Sequence, residues 1–158
     1  VENREDLYEI DPENVTAQFT CNFLSLVEIV KTLTPLMCQR GWGRIIGIGS
    51  IQEVHANPTL AVYAALKSAQ THFLKTLALQ TASHGVTVNT IAPGVILTQR
   101  NEAVLADIDF CKAIEERIPA GRIGKPQDCV GATLFLSSVQ ADYITGVWLP
   151  VDGGFHAA

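Results

Sequence analysis

The sequence predicts an α/β fold, a parallel sheet with helices packed on both faces. Three observations predict it. Apolar residues recur in steps of three and four from Val15 to Met37, the period of a helix. Arg44-Ile45-Ile46-Gly47-Ile48-Gly49 is an apolar run without alternation, the pattern of a parallel strand buried on both faces. Helix and strand signals alternate along the chain in the order α-β-α-β-(α)-α-β, which implies parallel strands joined by crossover helices.

The 158 residues are close to the length of one domain. Apolar residues make up 47% and charged residues 17%, the balance of a globular chain rather than a disordered one. No apolar run reaches the roughly 18 residues that a membrane span needs. The stretch Val1-Glu2-Asn3-Arg4-Glu5-Asp6 is too polar for a signal peptide. Eleven Lys and Arg against sixteen Asp and Glu leave a net charge of −5, which argues against a nucleic-acid or anionic-membrane surface. Cys21, Cys38, Cys111 and Cys129 form no C-x-x-C pair and no zinc-finger spacing with histidine, so no metal is expected. They read as reduced thiols of a cytoplasmic protein.

The first helix starts at Asp11-Pro12-Glu13, where Asp suits the cap, Pro the first helical position and Glu the positive end of the dipole. Val15, Phe19, Phe23, Leu26, Val30, Leu33 and Met37 form one stripe, with Asn22 on its buried side. Gly41-Trp42-Gly43 ends the helix, and the strand Arg44–Gly49 follows, with Ser50 at its C-terminal end. Residues 51–59 read as a loop. A second helix runs from about Leu60 to His84, with Gly85 as its C-terminal cap. Val86–Ile91 is a β-branched strand turned by Ala92-Pro93-Gly94. One helix is expected near 101–118 and another from Pro126 to about Ser138. Ile144–Val151 is the third strand, leading through Asp152-Gly153-Gly154 to the terminus. In such sheets ligands bind at the C-terminal strand ends, where Ser50 and Pro93-Gly94 fall.

Tyr63 and Lys67 carry the strongest local chemistry. Four residues apart on a helix, they share one face about 6 Å apart along the axis. A phenol is too weak an acid for proton exchange at neutral pH, and a nearby ammonium favours the phenolate, so the pair can act as a tuned general acid/base. The spacing alone also fits an ordinary amphipathic helix face. Ser50, thirteen residues before Tyr63, could hydrogen-bond the same substrate oxygen. Asn22 is open to two readings, a satisfied core amide or an anchor for a water that reaches Lys67.

These residues, taken together, resemble the short-chain dehydrogenase/reductases. Asn22, thirteen residues before the Pro of Pro35-Leu36-Met37, is similar to the family's helix asparagine. Gly43–Ser50 is similar to its serine-bearing strand, Tyr63 and Lys67 to its Tyr-x-x-x-Lys, and Asn89–Thr98 to its Asn-x-x-x-Pro-Gly-x-Ile-x-Thr segment. Pro119–Pro126 and Ile144–Gly154 resemble its C-terminal third. The resemblance implies hydride transfer between NAD or NADP and an alcohol or ketone. Tyr63 would move the proton, Lys67 would tune Tyr63 and hold the nicotinamide ribose, Ser50 would hold the substrate oxygen, and Asn22 would support a proton-relay water. Pro93, Gly94 and the Ile96 backbone would meet the nicotinamide amide, and Thr98 the pyrophosphate side. Substrate candidates are a 3-oxoacyl thioester, or a sugar, polyol or sugar acid. The resemblance also implies a homo-oligomer, a dimer or a homotetramer.

The family's opening strand, its Thr-Gly-x-x-x-Gly-x-Gly turn and its Asn-Asn-Ala-Gly segment have no counterpart here. Gly41-x-Gly43-x-x-x-Gly47 leads into a strand rather than following one, so it is no phosphate loop. Residues 1–158 are therefore expected to be the C-terminal part of a single Rossmann-type, doubly wound NAD(P)-binding domain whose N-terminal βαβ half is missing from this chain. Such a chain would bind cofactor weakly. The strand Arg44–Gly49 would be left as an apolar edge that another strand should cover. A catalytically silent half-domain, serving oligomerisation or interaction, is the rival reading.

Weaker signals surround the site. Gln52, Glu53 and His55 follow Ser50, and Gln52 and His55 could hydrogen-bond a polar substrate or simply be solvated. Leu105, Ile108, Phe110 and Ile114, in the segment 98–118 that resembles the family's lid, could cover a substrate or pack as a helix face. His72, His84 and His156 have no partner at useful spacing, and Trp42 and Trp148 are expected to pack locally.

Overall fold

The computed structural model describes residues 2–99 and 101–158, with Ala103 and Val104 described in their backbone only. Val1 of the polar N-terminal stretch and Arg100 of the 98–118 segment lie outside them. Asp11 caps the first helix as the sequence predicts, its Oδ1 accepting the Glu13 amide at 2.9 Å with Pro12 in the first helical position.

Helix α1 (Pro12–Phe19) passes through one π turn (Thr20–Leu24) into α2 (Ser25–Gln39). The single stripe expected from Val15 to Met37 does not survive that turn. A π turn takes in one extra residue, so the buried face shifts by about one residue position. Gln18 is fully buried before the turn and Val30 and Thr34 are buried after it, whereas Phe19 and Leu33 turn outward. Phe23, inside the turn, meets the rings of Phe19 at 5.7 Å and Phe73 at 5.8 Å. The whole run Pro12–Gln39 is long and apolar enough to cross a bilayer by length and composition. Its Leu26 and Met37 pack on the core, while Ile29, Leu33 and Leu36 are exposed.

The sheet contains β1 (Gly43–Ile48), β2 (Val86–Pro93) and β3 (Trp148–Val151), all parallel, in the order β1-β2-β3. The central strand is buried from Val86 to Ala92. Its side chains alternate between two cores. Val86 and Val88 face Leu74 and Ala78 of α3 (Ala61–Thr81), and Leu26 and Ile45 join them. Ile91 faces Leu136 of α6 (Pro126–Ser137), with Ile46 and Leu149 beside it. Helices thus cover both faces, as expected for an α/β sheet. Two glycines allow the close approaches. A Cβ at Gly43 would lie 2.7 Å from the Met37 Cβ, and Gly85, which closes the turn after α3, has φ +70°.

Two elements differ from expectation. The third strand is shorter than Ile144–Val151, because its first half joins β2 through mixed side-chain and backbone bonds rather than a regular ladder. Asn89 donates to the Ile144 carbonyl at 2.9 Å and accepts the Val147 amide at 3.1 Å. Thr145 Oγ1 accepts the Val88 amide at 3.0 Å, and Gly146 turns with φ +77°. The one helix expected near 101–118 is two, α4 (Glu102–Leu105) and α5 (Ile108–Glu115). Asp107 breaks them by accepting the Asp109 and Phe110 amides at 3.0 and 3.1 Å, which starts a new helix.

Asn89 is 1% exposed and bridges two backbone groups that would otherwise lose their partner. Asn89→Ala is expected to cost about 2–4 kcal/mol, as orphaned buried polar groups and a small cavity do. Urea denaturation checks this. The midpoint should fall with the slope unchanged, and an unchanged midpoint would contradict the bridging role.

Candidate active site

A cleft of about 1340 Å³ opens beyond the C-terminal ends of β1 and β2. Ser50 and Gln52 line it from the loop after β1, Tyr63 and Lys67 from α3, and Asn22 from the π turn. Pro93, Gly94, Ile96 and Thr98 line it from the segment after β2. All the candidate residues read from the sequence therefore meet in one place.

Local contacts fix each of them. Lys67 Nζ donates to the Ile48 carbonyl at 2.7 Å and to Gln70 Oε1 at 3.1 Å. Gln70 Nε2 donates to that same carbonyl at 3.2 Å. This holds the ammonium 5.8 Å from the centroid of the buried Tyr63 ring. Ser50 Oγ accepts the Gln52 amide at 3.1 Å, and the Ser50 amide donates to Glu53 Oε1 at 2.8 Å. The serine is thus oriented by its backbone surroundings, and its O–H donates to no group among the described residues. Glu53 acts as a clamp on that turn. Gln52 Oε1 is buried without a hydrogen-bond partner.

The segment after β2 is pinned from two sides. The Gly94 amide donates to the Val151 carbonyl at 3.0 Å, and a Cβ at Gly94 would lie 2.6 Å from the Asp152 Cβ. Ile96 and Gly124 form a short parallel bridge, in which the Leu97 amide donates to the Gly124 carbonyl at 2.8 Å and the Gly124 amide to the Val95 carbonyl at 3.0 Å. Asn101 fastens the rest, donating to the Ile96 carbonyl at 2.8 Å and accepting the Thr98 amide at 2.8 Å. The Ile96 amide itself has no hydrogen bond among the described residues. Arg122 holds the adjoining start of α6 by two bonds to Asp128, at 2.8 and 2.9 Å. That guanidinium and the Lys125 amide keep the Asp128 carboxyl well below the usual carboxylate range.

The cleft is also lined by His55, Phe110 and Ile114, with Arg117 and Phe155. Of the four apolar residues in the segment 98–118, Leu105, Phe110 and Ile114 face the cleft, while Ile108 is exposed. His156, expected to have no partner, meets Asp152 Oδ2 through Nδ1 at 2.7 Å. The terminal residues form a helical turn (Phe155–Ala157), and in it the four-residue spacing brings the ring back onto the carboxylate. Burial alone would raise the Asp152 carboxyl. The His156 and Gly154 amides and the His156 ring outweigh it and lower the pKa. Trp148 stacks edge-on against His156 at 5.8 Å, which is the local packing expected of it.

Gln70, Asn101, Arg117 and Phe155 were not singled out from sequence. Gln70 carried a readable signal, since it follows Tyr63 by seven residues and Lys67 by three on one helix face. Arg117 and Phe155 had none, because only tertiary packing brings them to the cleft.

The chain is similar to known proteins along nearly its whole length. A family model described as enoyl-(acyl carrier protein) reductase matches residues 1–156. The chain is 37% identical over 155 residues to 2-dehydro-3-deoxy-D-gluconate 5-dehydrogenase of Dickeya dadantii, covering 98% of this chain and 61% of that protein. It is 42% identical over 135 residues to 3-oxoacyl-[acyl-carrier-protein] reductase of Salmonella typhimurium, covering 85% and 54%. Among solved structures, a gluconate 5-dehydrogenase from Burkholderia cenocepacia, in complex with NADP and tartrate, superposes with a TM-score of 0.96 at 34% identity, over 100% of this chain and 62% of the other. The chain thus spans about three-fifths of the length of the curated relatives it matches. It belongs to the short-chain dehydrogenase/reductase family.

Asp152 gives the site a pH dependence of known sign. A carboxyl whose pKa is lowered on folding stabilises the fold fully above the ordinary carboxylate range near pH 4, and that stabilisation disappears as pH falls through the folded pKa. Asp152→Asn should therefore melt below the parent at pH 7, with the gap narrowing by pH 3. Thermal melts across that range check it, and a gap independent of pH would contradict it.

Proposed function

We propose that this chain supplies the catalytic side of an NAD(P)-dependent oxidoreductase that interconverts an alcohol and a ketone. The observation that carries the reading is the double clamp on Lys67, which fixes an ammonium 5.8 Å from the Tyr63 ring in the cleft that Ser50 also lines. Tyr63 gives its hydroxyl proton to the carbonyl oxygen in reduction and takes it back in oxidation. Lys67 stabilises the phenolate formed in between and hydrogen-bonds the ribose hydroxyls. Ser50, with its O–H uncommitted, donates to the substrate oxygen and holds the carbonyl beside Tyr63. Asn22, at the cleft wall, orders a water through which Lys67 returns a proton to Tyr63.

The donor set suits the nicotinamide end of the cofactor. The unpartnered Ile96 amide matches a carboxamide oxygen, Pro93 and Gly94 give a flat floor without side-chain amides, and Thr98 lies on the pyrophosphate side. When bound, the nicotinamide supplies or accepts the hydride. NADP in the Burkholderia structure supports the same cofactor class here. A 3-oxoacyl thioester or a sugar acid is the substrate class that the relatives' names support.

Residues 1–158 form the C-terminal part of a single domain under this reading. Its support is the outer edge of β1, which among the described residues pairs with β2 alone and is suited to a further strand. The exposed Ile29, Leu33 and Leu36 of α2 and Leu79 of α3 support a homo-oligomer built through these helices. Four cysteines without disulfides support a reducing, cytoplasmic setting. A silent interaction module gives no reason for the Lys67 clamp.

Oxidation of NADPH over a panel of ketones by the intact protein tests the proposal. Tyr63→Phe should lower kcat by about 100-fold or more and leave NADPH affinity within a few-fold. Retained turnover in that variant would overturn the mechanism.

A further inference from the structure

We propose that Arg117, together with Gln52, selects a carboxylate-bearing substrate, a small hydroxy or oxo acid, for the cleft. The inference rests on the oxidoreductase reading and adds the substrate class to it. Arg117 lines the same cleft as the clamped lysine and has no carboxylate within ion-pair distance among the described residues. Other charged groups at the cleft already have partners within the chain, Lys67 on the Ile48 carbonyl and Gln70. Arg4 pairs with Glu2 at 3.2 Å, and Glu5 accepts from Asn14 at 2.6 Å.

Arg117 is held in place by packing rather than by charge. Its guanidinium lies 5.1 Å from the centroid of the Phe155 ring, and Nη2 sits 3.5 Å from His55 Nε2. The His55 ring in turn stacks on Phe155 at 4.8 Å. A guanidinium against an aromatic face keeps its N–H edge open, and that edge matches a carboxylate through two parallel bonds.

The backbone beneath ties this group to the chemistry. Ile51, next to Ser50, packs with Ile118, next to Arg117, and both pack with Phe155 in one buried cluster. A carboxylate on Arg117 therefore sits at a fixed offset from an oxygen on Ser50. Gln52 lines the same cleft, and its Oε1 is buried without a hydrogen-bond partner. Buried polar atoms find partners, and a turn of this side chain toward the cleft would offer it to a substrate hydroxyl. Carboxylate, hydroxyl and reacting carbonyl on one short chain describe a sugar acid. A fatty acyl thioester offers neither the hydroxyl nor the carboxylate.

The test compares gluconate with glucitol, the same carbon chain without the carboxylate, and both with acetoacetyl-coenzyme A. The intact parent protein should show a KM for gluconate at least about tenfold below that for glucitol. Arg117→Met keeps the stem on Phe155 and removes the charge. It should raise the gluconate KM about tenfold or more, leave kcat within about threefold and leave glucitol unchanged, and Arg117→Lys should recover part of the loss. Gluconate, but not glucitol, should also raise the melting temperature of the parent and not of Arg117→Met, a readout independent of turnover. Equal effects on both substrates, or turnover of the thioester with no gluconate preference, would overturn the inference and leave the oxidoreductase reading standing. Gluconate protection that depends on Arg117, without turnover of any substrate, would uphold the anion site and refute the oxidoreductase reading instead.

Discussion

One backbone oxygen organises the site. The Ile48 carbonyl, at the end of β1, accepts from both Lys67 and Gln70 of α3. Two donors three residues apart fix the rotation of a 21-residue helix against the strand end. A helix packed only through Leu74 and Ala78 could still turn by part of a residue at little cost, since apolar contacts have no direction. The charge-assisted bond at 2.7 Å does have direction. Tyr63 follows from it, one turn earlier on the same face, and so does its position over the cleft shared with Ser50.

The two walls of the cleft are built differently. On the side of β2, polar clamps do the positioning: Asn101 on Ile96 and Thr98, Arg122 on Asp128, and backbone bridges through Gly124. These hold backbone groups still, as recognition of a flat, polar cofactor ring requires. On the other side, Ile51, Ile118 and Phe155 form an apolar cluster, and the polar groups of Gln52, His55 and Arg117 project from it without tight partners of their own. Uncommitted polar groups on an apolar base suit a ligand that varies between related enzymes.

Much of this was legible in the sequence, and the illegible part has a common cause. Period and burial pattern gave the parallel sheet, the helix on each face, and the placing of Ser50 and Pro93-Gly94 at strand ends, because those depend on neighbours within a few residues. The same holds for the Asp11 cap and the Gly85 turn. The π turn at Thr20–Leu24 was not legible, since a helix period tolerates one added residue without a change in composition. The shortened third strand was not legible either, because Asn89 and Thr145 compete with the ladder for backbone groups that sequence assigns to it. Arg117 meets His55 across 62 positions, a distance over which no local pattern carries information. His156 is different: its four-residue spacing to Asp152 was visible, but it pairs the two only once the terminus forms a helical turn.

The Tyr63–Lys67 pair and the Arg117 group therefore rest on separate supports. Tyr63 and Lys67 depend on hydrogen bonds between α3 and the end of β1, and none of those bonds involves the Phe155 cluster. Arg117 depends on Phe155, which is fixed by the Asp152 turn and by Ile118. Ile51 and Gln52 join the two, through the serine beside them. Sites with separate partners contribute almost additively, whereas sites that share a neighbour couple. Change at Arg117 can thus leave the phenol and ammonium where they are. Change at Ile51 reaches both, because it moves Ser50 and the Phe155 cluster together.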